Sequence, residues 1–295
     1  MPDPHRVFPR AKPSRSFKPV GLAPIGALML MMPSASAADL PAPAATTPTG
    51  LEPAPSVDQF TWVSEKLANW KVVLGGGAMV APKFEGSDEY EVSPIPFVSA
   101  AVTDWMMLDP RGVALGVRPL DGLPNFKVAA RLGYDPGRQQ DDSDHLRGLG
   151  DIDAGAVVGA RVAYLTGPVE VYAAVDRTFG GSDGLQARLG AEGSWNWGRF
   201  FFTLGASATW ADETYMSAYF GVTPIQSLRS HLPVYDLGAG IKRIDVSASV
   251  TYMMSDHWLI RGQAGLGTLV GDAGDSPIVQ SRTQPSGMLS IGYKF

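Results

Sequence analysis

Beyond about residue 70, apolar and polar side chains alternate one by one along most of the chain. In 244–254, Ile244, Val246, Ala248, Val250, Tyr252 and Met254 fall on one face, and Asp245, Ser247, Ser249, Thr251 and Met253 on the other. In 185–197, Leu185, Ala187, Leu189, Ala191, Trp195 and Trp197 oppose Gln186, Arg188, Glu192, Ser194 and Asn196. The segments 126–134, 199–210 and 258–269 and the stretch that ends in Leu289, Ile291, Tyr293 and Phe295 repeat the pattern. A period of two marks β-strands, because successive side chains on a strand point to opposite faces. Long patterns of period 3.6 are missing.

A soluble β-sandwich also alternates. Three features favour a barrel that spans a membrane. The segments are about 10–14 residues long, the length a tilted membrane strand needs. The polar face carries Gly, Ser, Thr, Arg and Glu, as a barrel lumen does. Aromatic residues such as Trp195, Trp197, Trp210, Tyr252 and Trp258 sit at segment ends, where an interfacial girdle belongs. Strands in lipid must pair every backbone group, so they must close on themselves. The expected fold is all-β, an antiparallel transmembrane barrel closed by a last strand that ends in Phe295. Such a terminal aromatic is typical of chains handled by the outer-membrane barrel assembly machinery.

The connections alternate between two classes. Those at 166–167, 196–198 and 255–256 are tight, whereas 136–150, 179–184, 211–243 and 271–285 are long and polar. Outer-membrane barrels keep short turns in the periplasm and long loops outside. In the N-terminal half the candidate strands are 70–81, 92–102, 106–117 and 125–135. With them the count reaches eleven, an odd number that conflicts with both ends of the barrel facing the periplasm. The expected count is therefore 10 or 12, with 12 favoured: either 60–70 adds a strand or two of these segments are one, and a pair of strands inside 211–243 would leave the parity unchanged.

Before the barrel region the pattern changes. Residues 1–19 carry Arg6, Arg10, Lys12, Arg15 and Lys18 against Asp3 alone, then comes an apolar run at 21–32, then Ala35-Ser36-Ala37. Basic start, short apolar core and A-x-A site read as a secretory signal peptide, 1–37. The run is too short for a spanning helix. Residues 38–58 hold five prolines and read as a flexible linker. The barrel domain is then 59–295. Removing the signal takes the chain from a net charge of −5 to −9. An acidic exported chain argues against a nucleic-acid partner. Outer-membrane lipid and lipopolysaccharide are its expected surroundings. Of the 295 residues 18% are charged, below the roughly 25% of soluble proteins, and 34 are glycine.

Candidate chemistry is sparse. There is no cysteine, which excludes thiolate zinc sites, disulfides and a cysteine nucleophile. Of the four histidines, His145, His231 and His257 share no ligand spacing. Glu85, Asp88, Glu89 and Glu91 cluster in one loop, and Asp141, Asp142 and Asp144 in another. Neither has the alternating ligand pattern of a calcium loop, so both read as solvated loops. Gly75-Gly76-Gly77 lacks the Lys-Ser/Thr of a phosphate loop and reads as relief of crowding in a barrel wall. No nucleophile elbow is present. No catalytic, cofactor or metal site is expected. The polar face supplies the lumen set: Lys127, Arg131, Asp153, Arg161, Glu170, Asp176, Arg188, Glu192, Asp245 and Arg261. Two readings stay open, a salt-bridged plug and a small polar pore. The narrow bore of 10–12 strands favours the plug.

Three blocks carry a resemblance. Residues 75–90 (GGGAMVAPKFEGSDEY) lead to Pro94-Ile95-Pro96; 219–230 (YFGVTPIQSLRS) leads to 232–236 (LPVYD) and 238–242 (GAGIK); 269–279 (LVGDAGDSPIV) leads to 292–295 (GYKF). In this order, over about residues 70–295, they resemble the MipA/OmpV family of MltA-interacting proteins. The loop positions that carry the likeness are Gly221, Thr223, Pro224, Ser227, Ser230, Asp236, Asp272, Asp275, Ser276 and Pro277. The resemblance implies an outer-membrane barrel without catalytic residues. It also implies a scaffold that joins periplasmic murein enzymes, a lytic transglycosylase and a synthase. The alternatives are a narrow porin-like channel and a surface barrel for adhesion or reception.

Overall fold

A computed structural model describes residues 72–103, 106–109, 112–120 and 123–295. The expected signal peptide, linker and 60–70 segment lie outside the described residues. Among those described, no helix is long and apolar enough to cross a membrane; the crossing elements are strands.

The chain forms β1 (Val72–Pro82), β2 (Tyr90–Thr103), β3 (Met106–Asp109), β4 (Gly112–Leu120), β5 (Leu123–Asp135) and β6 (Gly155–Thr166). Then follow β7 (Val169–Phe179), β8 (Leu185–Trp197) and β9 (Phe200–Ala211), and finally β10 (Gly240–Met253), β11 (Trp258–Leu269) and β12 (Thr283–Lys294). Each strand pairs antiparallel with its neighbours in sequence, and β1 pairs with β12 from Val73↔Lys294 to Val80↔Gly287, closing the barrel. The fold is the all-β antiparallel barrel that the alternation predicts. Its outer face is apolar: Leu189, Leu204, Val246, Leu266 and Leu289 are exposed. The alternate positions Glu192, Thr209, Ser249, Arg261 and Ser290 are buried inward. This reversal of the soluble pattern is what a lipid-facing wall requires.

Closure leaves a signature in β1. A Cβ on Gly75 or Gly77 would collide with the carbonyl oxygens of Ile291 and Leu289 on β12. The glycine run is there because two backbones approach closely at this seam.

Two expectations need correction. The single strand 106–117 is a hairpin: β3 and β4 pair with each other through Met106↔Leu115 and Asp109↔Gly112. The sequence between the two strands, Asp109-Pro110-Arg111-Gly112, carries a Pro/Gly turn signal but no long polar loop, so the alternation on either side reads as one strand. The missing parity comes from this reversal. The internal strand pair within 211–243 is also absent; that segment forms α1 (Glu213–Phe220), α2 (Pro224–Ser230) and one isolated bridge, Val222↔Tyr235.

At the turn end the connections are short, and aromatic side chains ring the wall. Trp195 stacks on Phe202 at 5.6 Å, Phe200 lies 4.7 Å from Tyr252, and Tyr293 meets both Trp258 and Phe295 edge-on. At the opposite end the long loops fold together. One cluster buries Tyr215, Met216, Phe220, Leu237, Leu269 and Ala273; a second buries Phe84, Leu146, Leu149, Val222 and Ile278. These loops form a packed cap with its own apolar core, which the polar composition of the loops did not announce.

Candidate functional site

The cap is built from short, well-terminated elements. Asp212 caps α1 by accepting from Tyr215 N, and the same carboxylate accepts from Leu185 N at 3.0 Å, tying the helix to the start of β8. Thr223 and Gln226 form a reciprocal capping box on α2, with Pro224 in the first turn. Gly221 closes α1 at a point where a Cβ would press on Ser217. A third helix, α3 (Gly271–Asp275), packs beside β10 and β11.

The loop residues of the family blocks hold this cap together. Ser276 Oγ donates to the Phe220 carbonyl at 2.6 Å. The Tyr235 hydroxyl donates to the Asp272 carbonyl at 2.9 Å. His145 Nε2 lies 3.2 Å from the Pro277 carbonyl oxygen. Ser230 Oγ donates to the Gln226 carbonyl, the Ser227 carbonyl accepts from His231 N, and Asp275 pairs with Arg282. Gln226 Nε2 reaches the Leu149 carbonyl at 2.5 Å, joining α2 to the 136–154 loop. Asp236 is exposed. These positions shape a cap.

Beneath the cap lies a charge cluster centred on Glu85. Lys242 Nζ donates to Glu85 Oε2 at 2.8 Å and to the Tyr215 hydroxyl at 2.9 Å. The Glu85 and Lys242 side chains are 16% and 6% exposed. Arg243 links Glu85, at 3.6 Å, to Asp245, at 2.7 Å. Burial by itself pushes the Glu85 carboxyl up, but Lys242 and Arg243 outweigh it and hold it below the usual carboxylate range. Burial, then the Glu85 charge, drives the Tyr215 phenol well above its ordinary value. Burial and Asp135, which accepts from the Tyr219 hydroxyl at 3.1 Å, raise Tyr219 likewise. Arg138 donates to the Tyr219 carbonyl at 2.7 Å. Four segments distant in sequence (83–89, 136–154, α1 and β10) are thereby latched.

This cluster corrects the reading of 85–91 as a wholly solvated loop. Asp88, Glu89 and Glu91 are exposed, but Glu85 turns inward. Lys242 reaches it because of a bulge. The β9–β10 register shifts between Ile241 and Arg243, so Lys242 and Arg243 both leave the outer face to Ile241 and Ile244. A bulge adds a residue to one strand and re-aims side chains. Strict alternation would have sent one of the two cations into lipid; two adjacent cations between two isoleucines were the available signal.

The lumen charges distribute along the inner wall. Arg161 pairs with Glu170 at 2.6 Å and lies 3.9 Å over the Tyr172 ring. Arg131 pairs with Asp176 at 3.7 Å. Arg261 donates to Thr251 at 3.2 Å, Arg188 Nε to Thr209 at 3.3 Å, and Glu192 is buried. Lys127 sits on β5 at an inward position of the alternation. Asp153 departs from its expectation as a lumen charge: it lies in the loop two residues before β6 begins and is exposed. Among the described residues no group of three His, Asp or Glu is placed to hold a metal ion.

Between the cap latch and the ion pairs near the turn end lies a cavity of about 390 Å³. Its wall is thin where small residues line up across four strands, Gly205↔Ser247↔Gly265↔Ser286. Arg188, Tyr172 and Gln186 face it from β7 and β8, and Glu85, Tyr215 and Lys242 stand at the cap side.

A closed antiparallel barrel with an apolar outer wall, aromatic rings at its turn end and a polar, charge-paired interior is an outer-membrane barrel protein. The sequence profile of the family described as MltA-interacting protein MipA matches residues 74–295, and the chain belongs to that family. The outer membrane is its location. No individually characterised protein matches with significance. Solved barrels resemble it at low identity. A loop L8 deletion mutant of OmpT, an outer membrane protein of Vibrio cholerae, is 8% identical with a TM-score of 0.36, covering 76% of this chain and 99% of that one. OprD of Pseudomonas aeruginosa is 10% identical with a TM-score of 0.35, covering 76% of this chain and 66% of that one.

Proposed function

We propose that the protein is a non-enzymatic outer-membrane adaptor that binds a periplasmic murein hydrolase of the MltA type and a murein synthase. Membership of a family named for MltA interaction supports the partner class. The observation that carries the role is the cap: one mouth is filled by helices with their own buried core, so the geometry favours a plugged barrel over an open pore. The turn end faces the periplasm in this reading. Its turns are braced, with Arg199 donating to the Met254 carbonyl at 3.0 Å and His257 Nδ1 lying 3.0 Å from the Lys294 carbonyl oxygen. The Pro-rich segment 38–58 supplies a second contact in this reading.

The test is capture of a purified lytic transglycosylase by the mature barrel refolded in detergent, with a misfolded sample as control. Selective capture that weakens on deletion of 38–58 supports the adaptor and the linker's part in it. Equal recovery on both samples sinks the adaptor. The polar cavity favours a second reading, a narrow path for small solutes once the cap moves. Neutralising Arg131 and Arg188 then alters ion selectivity in bilayers, and a barrel that never conducts rejects it.

A further inference from the structure

The charged side chains around the cavity under the cap are engaged with protein. Lys242 pairs with Glu85 at 2.8 Å and Arg243 with Asp245 at 2.7 Å. Arg188 donates to Thr209 at 3.3 Å and has a further interaction beyond that bond. The neutral side chains are not engaged. Gln186 on β8, Ser207 on β9, Ser247 on β10 and Ser286 on β12 line the cavity, and among the described residues none of these four side chains makes a hydrogen bond to protein. Strand pairing gathers the hydroxyls: Ser207 stands opposite Asp245, next but one to Ser247, and Ser247 and Ser286 flank Gly265 from either side. A Cβ on Gly265 would come within 2.8 Å of the Ser286 hydroxyl, so glycine at that position leaves the hydroxyl open to the cavity. A polar group in a protein interior ordinarily has a hydrogen-bond partner. Several that lack one, converging on a volume of this size, mark a place for a small ligand.

From this lining we infer that the cavity binds a neutral polyhydroxylated solute, the chemistry of a monosaccharide or a sugar alcohol. Each serine hydroxyl donates and accepts, and Gln186 offers two donors and an acceptor. The hydroxyl groups of such a solute have the same double capacity, so the two sides match without any formal charge. A charged ligand fares worse. It gives up its hydration on entry, and the cations and carboxylates that would replace that water are already committed. Reaching Lys242 or Arg243 would mean breaking the pairs that latch the cap. Gly205 and Gly265 supply room beside the hydroxyls, because neither has a side chain to fill the space between strands. The inference stands apart from the adaptor role, whose contacts lie on the turn end and in 38–58, and it needs no passage through the barrel.

The test uses the mature barrel folded in a detergent without a sugar headgroup, with folding checked by heat-modifiable gel mobility. Titration calorimetry compares neutral D-glucose, D-xylose and sorbitol with anionic D-glucuronate and cationic D-glucosamine. The expected result is saturable binding of at least one neutral probe, with both charged analogues weaker by about tenfold or more. Ser247→Ala and Ser286→Ala each weaken it by roughly two- to tenfold, the worth of one hydrogen bond. Ser247→Leu, which fills the cavity, abolishes it. No saturable binding of any neutral probe, a charged analogue bound as tightly as the neutral ones, or unchanged affinity in folded Ser247→Leu overturns the proposal. If the variants fail to fold, the comparison of neutral and charged probes on the unaltered chain decides by itself. Transglycosylase capture by the same preparation is scored separately, so the two readings fail independently.

Discussion

Glu85 is the residue on which the cap turns. It is the one acid of the 85–91 cluster that points inward, and it holds Lys242, Arg243 and Tyr215 at once. Removing one partner of a buried pair leaves an uncompensated charge, at a cost of about 3–5 kcal/mol. Glu85→Gln therefore loosens the cap while leaving the wall intact. Limited proteolysis reads this as faster cleavage within 212–239 with unchanged heat-modifiable mobility; cleavage at the native rate would count against the latch. The pH dependence follows from the same carboxylate. Its folded value lies below the ordinary 4.5, so its contribution is present above that value and is lost as pH falls further through the folded value. Tyr215 and Tyr219 act with the opposite sign. Their folded values lie above 10, so their contribution holds below pH 10 and is lost as pH rises beyond it. Hydrogen exchange of α1 should show protection across the range between and loss at both extremes.

At the scale of elements, glycine and capping chemistry make separate predictions. Gly77 sits where β1 and β12 touch backbone to backbone, so Gly77→Val forces the closing seam apart. Refolding yield of the heat-modifiable form should fall sharply, while Gly193→Ala, at an open position, leaves it near native. Thr223→Ala removes the cap of α2 and costs about 1 kcal/mol. That effect belongs to the cap alone: exchange of amides in 225–230 accelerates and the strands keep their protection. The alternation of β5–β12 was legible because lipid on one side and a polar interior on the other impose a strict period of two. The β3–β4 reversal had a turn signal in Asp109-Pro110-Arg111-Gly112, but no long polar loop set it apart from the alternation on either side. The helices of 211–243 carried a readable start signal in Thr223-Pro224 with Gln226, yet their apolar residues are too few for a periodic stripe.

At the scale of the whole molecule, the barrel is a wall with one filled mouth. Deleting 213–230 removes α1, α2 and the Tyr215 side of the latch. Single-channel recordings should then show conductance that the complete barrel lacks; equal currents from both would mean that the cap does not close the path. The narrow bore of a small barrel magnifies the effect, because a few side chains suffice to fill it.

Local alternation dictates the barrel and its two classes of connection, because each depends on periodicity and spacing along the chain. The sequence also carried the family, through loop blocks now seen to bind the cap together. Only the tertiary structure decided which acid of a cluster is buried, that the polar loops share an apolar core, and that a bulge brings Lys242 and Arg243 to the same side. Those outcomes depend on contacts between residues far apart along the chain, 157 positions for Glu85 and Lys242, and on a one-residue shift in register. Neither is written in a period of two.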